Sequence, residues 1–363
     1  MLIDIIAGAR PNFIKVAPIM HAISRRRREG GLLRPRLIHT GQHYDARMSG
    51  DFFEQLGIPS PDFNLEVGSG SHAGQTAGIM VGYERLLQQE RSGLCLVVGD
   101  VNSTLACAVT AQKCGVPVAH VEGGIRSGDW SMPEEINRLA TDAISNWFFT
   151  TSEHANSNLR RSGVAESRIL FVGNTMIDTL LANLDRLRPP SFAAEVELKQ
   201  GEYLVLTLHR PANVDAGDHL VRTLSAICHG ANGKPVVFPV HPRTSKSLAA
   251  AGFLPVNLHL VDPQPYLEFN WLVRHALAVV TDSGGITEET TVLGVPCLTL
   301  RDNTERPETI EIGTNELIGT HPERIGPALA RVFTGAWKRG GIPPLWDGKA
   351  GERIVGHLES LLG

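Results

Sequence analysis

The chain has 363 residues, 42% apolar and 20% charged, and its Lys plus Arg (34) nearly balance its Asp plus Glu (38). That length exceeds the usual reach of one hydrophobic core, so two domains are expected. The charge balance gives no case for a nucleic-acid or acidic-membrane partner, and no apolar run reaches the roughly 18–20 residues of a membrane span. The five cysteines, Cys95, Cys107, Cys114, Cys228 and Cys297, are odd in number and lack a CxxC spacing. Several sit in apolar runs, which reads as buried reduced thiols and not as disulfides or a metal site. The N-terminus MLIDIIAGARP carries Asp4 and no basic n-region, so it reads as a strand and not as a signal peptide. A cytoplasmic protein is expected.

Strand and helix alternate along the chain almost without interruption. LIDIIA (Leu2–Ala7) is the first strand, Gly8-Ala9-Arg10-Pro11 the turn after it, and Asn12 to Arg28 a helix. That helix closes on Arg25–Arg28 and then Gly30-Gly31; basic residues in a last turn before glycine are an ordinary helix stop, not a nucleic-acid patch. A strand around Arg36–His39 follows, then a loop through GQHYDARMSGDFF into a helix, a proline-punctuated connection, and a Gly/Ser loop at Gly68–Gly74 leading into a helix through Gln89. LCLVV (Leu94–Val98) ends in Gly99-Asp100, and PVAHV (Pro117–Val121) ends in Glu122-Gly123-Gly124. NWFFTT (Asn146–Thr151) and RILFV (Arg168–Val172) complete a first sheet.

Leu187–Glu202 holds two prolines and few aromatic or β-branched residues, and reads as a linker. A second series starts at YLVLTL (Tyr203–Leu208) and continues through PVVFPV, the strand before Asp262, ALAVV (Ala276–Val280) and PCLTL (Pro296–Leu300). The expected domains are therefore 1–186, a linker over 187–202, and 203–350. The fold class is α/β, with two Rossmann-like, doubly wound parallel sheets and ligands at the carboxyl ends of their strands.

Polar groups directly after apolar strands mark those ends. They are Arg10 with Lys15 one helical turn on, Asp100, Glu122, His209 with Arg210, and Asp282 with Ser283. Glu134 opens a helix after Pro133, where proline is favourable. Each alone has an ordinary structural reading: Asp100 as a cap for the helix near Ser103, Glu134 as a partner for the helix dipole, His241 as a packed histidine. Together they bring several cations and three carboxylates to one predicted cleft.

The densest stretch is Thr281–Thr320. The ALAVV strand breaks at Ser283-Gly284-Gly285, and a helix-like segment with Glu288 and Glu289 follows. Strand, small-residue turn and helix present backbone N–H groups and a positive dipole end to an anion. PCLTL then ends in the polar loop Arg301–Pro307 at the same sheet edge. By spacing this is a diphosphate and sugar site; a glycine-rich turn beside a solvated charged loop is the plainer alternative.

DSGGITEE followed by LRDNTERPE resembles the C-terminal signature of the UDP-N-acetylglucosamine 2-epimerase family. GARPNFIK, TGQHYD, GDVNSTL, HVEGGIRSGDWSMPEEINR, FVGNTMIDTL, TLHRP, VHPRT and DPQPYLEF stand in that family's order over nearly the whole chain. The resemblance implies a GT-B-like fold, in which two Rossmann-like domains face a cleft holding the nucleotide sugar and a last helix (351–363) crosses back to the first domain. It also implies a homodimer, a UDP-N-acetylhexosamine substrate, and neither metal nor cofactor. By match of motif, Asp100, Glu122 and Glu134 resemble the catalytic carboxylates. His209 and Arg10 resemble catalytic or diphosphate-contacting groups, with Lys15 nearby. Gln264 and Phe269 match uracil-binding positions, and Ser283, Gly284, Gly285, Glu289 and Arg306 match the diphosphate and ribose site. Asn12 stands where the family commonly has Glu, and Gly123 where it has Ala.

The chemistry agrees with those parts. The first βα turn, Gly8–Phe13, lacks a GxGxxG fingerprint, which argues against a tightly bound nicotinamide and so against a transient ketone. The C2 hydrogen of an N-acetylhexosamine is not acidic, so a base alone cannot invert that centre. Expelling the nucleoside diphosphate from C1 acidifies the C2–H and yields a C1=C2 glycal; readdition with protonation from the other face inverts C2. Arg10, Lys15, His209 and Arg306 offer positive charge for the pyrophosphate. A hydrolysing 2-epimerase, a 2-epimerase of a diacetamido-uronic acid nucleotide and a GT-B glycosyltransferase are the alternatives; the last has no need of three carboxylates.

Bacterial relatives in the family are activated by their own substrate at a second site. The matching stretch here, Gln42 to Met48, places Asp45 where a neutral side chain would help, and the loop Leu65–Gln75 contains no arginine. His241 matches, but a carboxylate near a pyrophosphate costs affinity. Hyperbolic kinetics without substrate priming are expected.

Overall fold

The computed structural model describes residues 1–41, 53–210, 213, 217–240, 248 and 255–362. The Gln42–Met48 stretch and His241 lie outside the described residues. The chain divides into two compact units, Met1–Ala182 with Pro344–Gly363, and Asn183–Pro343.

In the first unit the chain runs β1 (Leu2–Ala7), α1 (Arg10–Arg28), β2 (Arg34–His39), β3 (Phe63–Asn64), α2 (His72–Gln89), β4 (Leu94–Val98) and α3 (Asn102–Lys113). It continues through β5 (Val118–Val121), α4 (Pro133–Ile144), β6 (Trp147–Thr150), α5 (Glu153–Arg161), β7 (Ile169–Phe171) and α6 (Thr175–Asn183). The strands form one parallel sheet in the order β3-β2-β1-β4-β5-β6-β7. A parallel strand covered by helices on both faces needs an unbroken apolar run, and β4 is buried at every position. In α1, buried Phe13, Val16, Ile19, Met20 and Ile23 recur at helical spacing, and Arg25–Arg28 occupy the last turn, where the helix dipole favours cations.

The second unit repeats the plan with β8 (Leu204–Thr207), α7 (Gly217–Gly230), β9 (Val236–Pro239), β10 (Leu258–Val261), α8 (Tyr266–His275), β11 (Ala278–Thr281) and α9 (Gly284–Leu293). After these come β12 (Cys297–Thr299), α10 (Pro307–Glu311), β13 (Asn315–Leu317) and α11 (Ile325–Phe333). Its parallel sheet is ordered β10-β9-β8-β11-β12-β13. Residues 187–202 belong to this unit, where Phe192 and Leu198 pack on the cluster around Tyr203, Val205 and Val279.

The chain then returns to the first unit. Trp346 is 1% exposed and its indole N–H donates to the Thr151 carbonyl at 2.9 Å. The last helix, α12 (Ala350–Leu362), packs along α1. Its first turn is tied down by the Gly351 N–H donating to Asp178 at 2.7 Å, and ion pairs join Arg25 to Glu352 and Arg26 to Glu359. Among the described residues no helix is long and apolar enough to cross a membrane.

Candidate functional site

Each sheet starts in its middle, grows to one edge, and then reverses. The reversals fall between β1 and β4 in the first unit and between β8 and β11 in the second. At such a point the flanking loops leave on opposite faces and open a crevice beyond the strands' carboxyl ends, where ligands of doubly wound sheets bind. The loops at these two places are Gly8–Arg10 with Gly99–Val101, and Leu208–Arg210 with Asp282–Ser283.

In the first unit, Asn12 knots its crevice together. The Asn12 side-chain carbonyl accepts from the Gly8 and Ala9 N–H groups at 3.3 and 2.9 Å, and its amide donates to the Val98 carbonyl at 3.0 Å. That bridge uses one acceptor and one donor, which an amide has and an ionised carboxylate does not. Asn12 is therefore compatible with its place. Arg10 is exposed on the first turn of α1.

One turn further, Lys15 Nζ lies 2.8 Å from Glu122 Oε2, with the two side chains only 10% and 2% exposed. Glu122 follows β5 with φ of +69°, a left-handed conformation that costs a non-glycine residue energy and is typical of functional sites. Gly99 brings β4 into the same place. A Cβ on it would sit 3.4 Å from Lys15 Nζ and 3.8 Å from Glu122 Oε2, and its φ is +69°.

Asp100 does not cap α3, whose N-cap is Val101 without a side-chain hydrogen bond. Its carboxylate lies 2.5 Å from a guanidinium nitrogen of Arg138, and another nitrogen of that group lies 3.0 Å from Glu135. Asn137 donates to the Asp100 carbonyl at 2.9 Å. Glu135 in turn accepts from the N–H groups of Ser127 and Gly128; burial opposes its ionisation, but those bonds and Arg138 hold its carboxyl below the usual range. Asn137 and Arg138 thus tie helix α4 to Asp100 just beyond β4, and Glu135 ties it to the Ser127–Gly128 turn. Glu134, on its first turn, is half-buried and has no ion-pair or hydrogen-bond partner among the described residues.

A support not foreseen from the sequence lies beneath. His120, on β5 and fully buried, meets Asp142 through Nδ1 at 2.7 Å and the Gly99 carbonyl through Nε2 at 2.8 Å. Asp142 also meets Arg126 at 2.6 Å and accepts from the Gly124 N–H. Burial pushes this carboxyl up, and His120 and Arg126 outweigh burial and hold it below its ordinary value.

In the second unit, α9 opens at Ser283-Gly284-Gly285, and Ser283 at the N-cap makes no side-chain capping bond. The first-turn N–H groups and the hydroxyl are left for an anion. Gly284 lies close to Glu305, and a Cβ there would come within 2.5 Å of Glu305 Oε1, so the carboxylate would have to shift. Glu305 pairs with Arg301 at 2.6 Å, and Arg306 Nε lies 2.6 Å from Glu288, which is fully buried. Glu289 is 5% exposed with Asn270 3.4 Å away. Burial, with Glu288 adding to it against Asn270 and Tyr266, pushes Glu289 up to about 7.

His209 projects into solvent, 62% exposed, with Nδ1 held 2.7 Å from buried Asp282. Gln264 is half-buried and donates to the Asp262 carbonyl at 2.6 Å, and half-buried Phe269 packs on the cluster of Tyr203, Leu272 and Val279. The first unit therefore joins Lys15 to Glu122 and Asp100 to Arg138; in the second, His209 meets Asp282 next to Ser283-Gly284-Gly285, Arg306 meets Glu288 and Glu289 meets Asn270. Sequence reasoning missed His120, Arg138, Asp142 and Glu288 as supports. The one clue was that His120, Arg138 and Glu288 stand within HVEGG, PEEINR and TEE, with Asp142 one turn beyond, and the partners they find are distant in sequence or on another element.

The chain matches a family model described as UDP-N-acetylglucosamine 2-epimerase over residues 26–359. It is 40% identical over 368 residues to the UDP-N-acetylglucosamine 2-epimerase of Methanocaldococcus jannaschii, covering 98% of each chain. It is 38% identical over 364 residues to the UDP-2,3-diacetamido-2,3-dideoxy-D-glucuronate 2-epimerase of Pseudomonas aeruginosa, covering 99% of this chain and 100% of the other. The crystal structure of the Methanocaldococcus jannaschii enzyme in complex with UDP-GlcNAc and UDP superimposes with a TM-score of 0.88, covering 99% of this chain and 100% of that one at 40% identity.

Proposed function

The chain belongs to the UDP-N-acetylglucosamine 2-epimerase family and is an isomerase, and from that premise we propose that it interconverts UDP-N-acetylglucosamine and UDP-N-acetylmannosamine. Its substrate is a nucleotide sugar. The reaction runs by loss of UDP from C1, with the C2 proton going to a carboxylate, to give a 2-acetamidoglucal; UDP then readds as a proton arrives on the opposite face of C2. Positive charge that grows at C1 as the diphosphate leaves is what makes C2–H acidic enough for a carboxylate.

One observation carries this reading. Two carboxylates at the ends of neighbouring strands of the first sheet, Asp100 after β4 and Glu122 after β5, each stand beside a buried cation, while an uncapped Ser-Gly-Gly helix start stands at the reversal point of the second. The first set suits proton transfer, and the second suits a diphosphate. Arg10 and Lys15 are the candidate cations of the first unit and His209 and Arg306 those of the second; Gln264, Phe269 and Glu289 are the candidates to hold the uridine.

Incubation with UDP-N-acetylglucosamine in deuterium oxide tests the proposal. Deuterium at C2 of both sugar nucleotides is expected, and epimerisation without exchange would exclude the elimination route. UDP-2,3-diacetamido uronic acid is the second substrate to offer, because a relative of that activity matches end to end at 38% identity. We also propose a homodimer, checked by light scattering, and a cytoplasmic setting, supported by five free cysteines.

A further inference from the structure

Arg138 is 4% exposed in the side chain and lies between two carboxylates, Asp100 at 2.5 Å and Glu135 at 3.0 Å. Its two partners differ. Glu135 is 2% exposed and fully engaged with the Ser127–Gly128 turn, whereas Asp100 keeps 25% of its side chain exposed at the sheet's reversal point. A guanidinium bound on one side by a fixed carboxylate is itself fixed, so the second carboxylate it holds is aimed. The Asn137 amide, one residue earlier on α4, holds the Asp100 carbonyl at 2.9 Å and the Asn102 side chain at 3.3 Å. Backbone and side chain of Asp100 are thus set by adjacent residues of one helix turn.

We infer that Arg138 is a positioning residue that aims the Asp100 carboxylate, and so commits Asp100 to accepting the C2 proton. This rests on the epimerase reading above. In that step the Asp100 carboxylate takes the proton from C2, the C–H electron pair forms the C1=C2 bond, and the C1–O pair leaves with the β-phosphate of UDP. The same carboxyl returns the proton in the reverse direction. Among the described residues nearby, Lys15 and Glu122 pair with each other beside Gly99, and His120 under the Gly99 carbonyl pairs with Asp142. Arg138 lies on the Asp100 carboxylate itself.

The test compares Arg138→Gln, Arg138→Lys, Asp100→Asn and the Asp100→Asn/Arg138→Gln double variant, reading kcat, KM and the pH dependence of kcat. An arginine beside an aspartate lowers its pKa by about 1–3 units. Arg138→Gln should therefore move the acidic limb of kcat up by about one unit or more and lower kcat at least tenfold, with KM little changed. Arg138→Lys should keep the limb and lower kcat, because the charge stays and the fork is lost. In the Asp100→Asn background Arg138→Gln should cost nothing further. An unshifted limb in Arg138→Gln, or fully additive losses in the double variant, overturns the inference. If Arg138→Gln does not fold, Arg138→Lys decides: wild-type kcat overturns it. Absence of C2 exchange in the wild type would instead refute the epimerase reading, so the two failures are distinct.

Discussion

His209 Nδ1 stands 2.7 Å from Oδ1 of Asp282, a carboxylate with no exposed surface. The same carboxylate accepts from the backbone N–H groups of His209 and Arg210 and from the Asn213 amide. Asp282 therefore fixes both the loop after β8 and the ring on it, with the Nε2 edge turned outward. Asp282→Asn removes the charged acceptor. It should cost about 1.5–3 kcal/mol of stability and lower turnover, measured by thermal unfolding and product assay. Burial pushes Asp282 up, but His209, Asn213 and Arg210 outweigh it and leave it below its ordinary 3.8. A lowered folded-state value gives stability that is present above 3.8 and lost as the pH falls through the lowered value. The acid-side fall in Tm should be shallower in Asp282→Asn than in the wild type.

Glu289 behaves in the opposite sense. Its folded-state value is raised from 4.5 to about 7, so its stabilising contribution is present below 4.5 and lost as pH rises through about 7. Ribose hydroxyls would donate to the ionised form. UDP affinity should then rise with pH and level off above about 7, by up to about tenfold per pH unit below it. Calorimetric titration of wild type and Glu289→Gln over the same range separates this from the ionisation of UDP, which both share; equal pH dependence in the two would contradict the assignment.

Arg306 and Glu288 form a buried pair at 2.6 Å. Removing one charge from such a pair costs about 3–5 kcal/mol. Arg306→Ala and Glu288→Gln should each lower Tm and weaken UDP binding, the second by releasing the arginine from its orientation. A Glu288→Gln/Arg306→Met double variant should recover most of the Tm and none of the affinity.

Asp100→Asn, Glu122→Gln and Glu134→Gln should each reduce turnover by about 10²–10⁴-fold while UDP still binds. Near wild-type rates in all three would remove them from the chemistry. Glu122→Gln should also lower Tm, because it leaves Lys15 buried beside a neutral side chain; Glu134→Gln should not, since Glu134 meets no cation among the described residues.

Trp346 anchors the returning chain. Trp346→Ala should destabilise the first unit by about 3–5 kcal/mol, read by denaturant unfolding, because it empties a buried site and frees the Thr151 carbonyl. Loss of under 1 kcal/mol would mean that α12 holds without it.

The sequence by itself determined the α/β class, the strand order in time, and where polar groups leave the strands. LCLVV and ALAVV are readable as buried parallel strands because burial on both faces demands an unbroken apolar run, and Ser283-Gly284-Gly285 is readable because only small residues allow such a turn. The family motifs were legible for the same local reason, since each lies within one loop or helix start. The edge strands Phe63–Asn64 and Asn315–Leu317 were not legible, being too short to carry a period. What only the tertiary structure decided is which charges meet. Lys15 finds Glu122 across 107 positions, Asp282 finds His209 across 73, and Arg138 finds Asp100 across 38. No local pattern encodes these pairings, because the sheet order and helix packing that bring them together depend on the burial of the whole core.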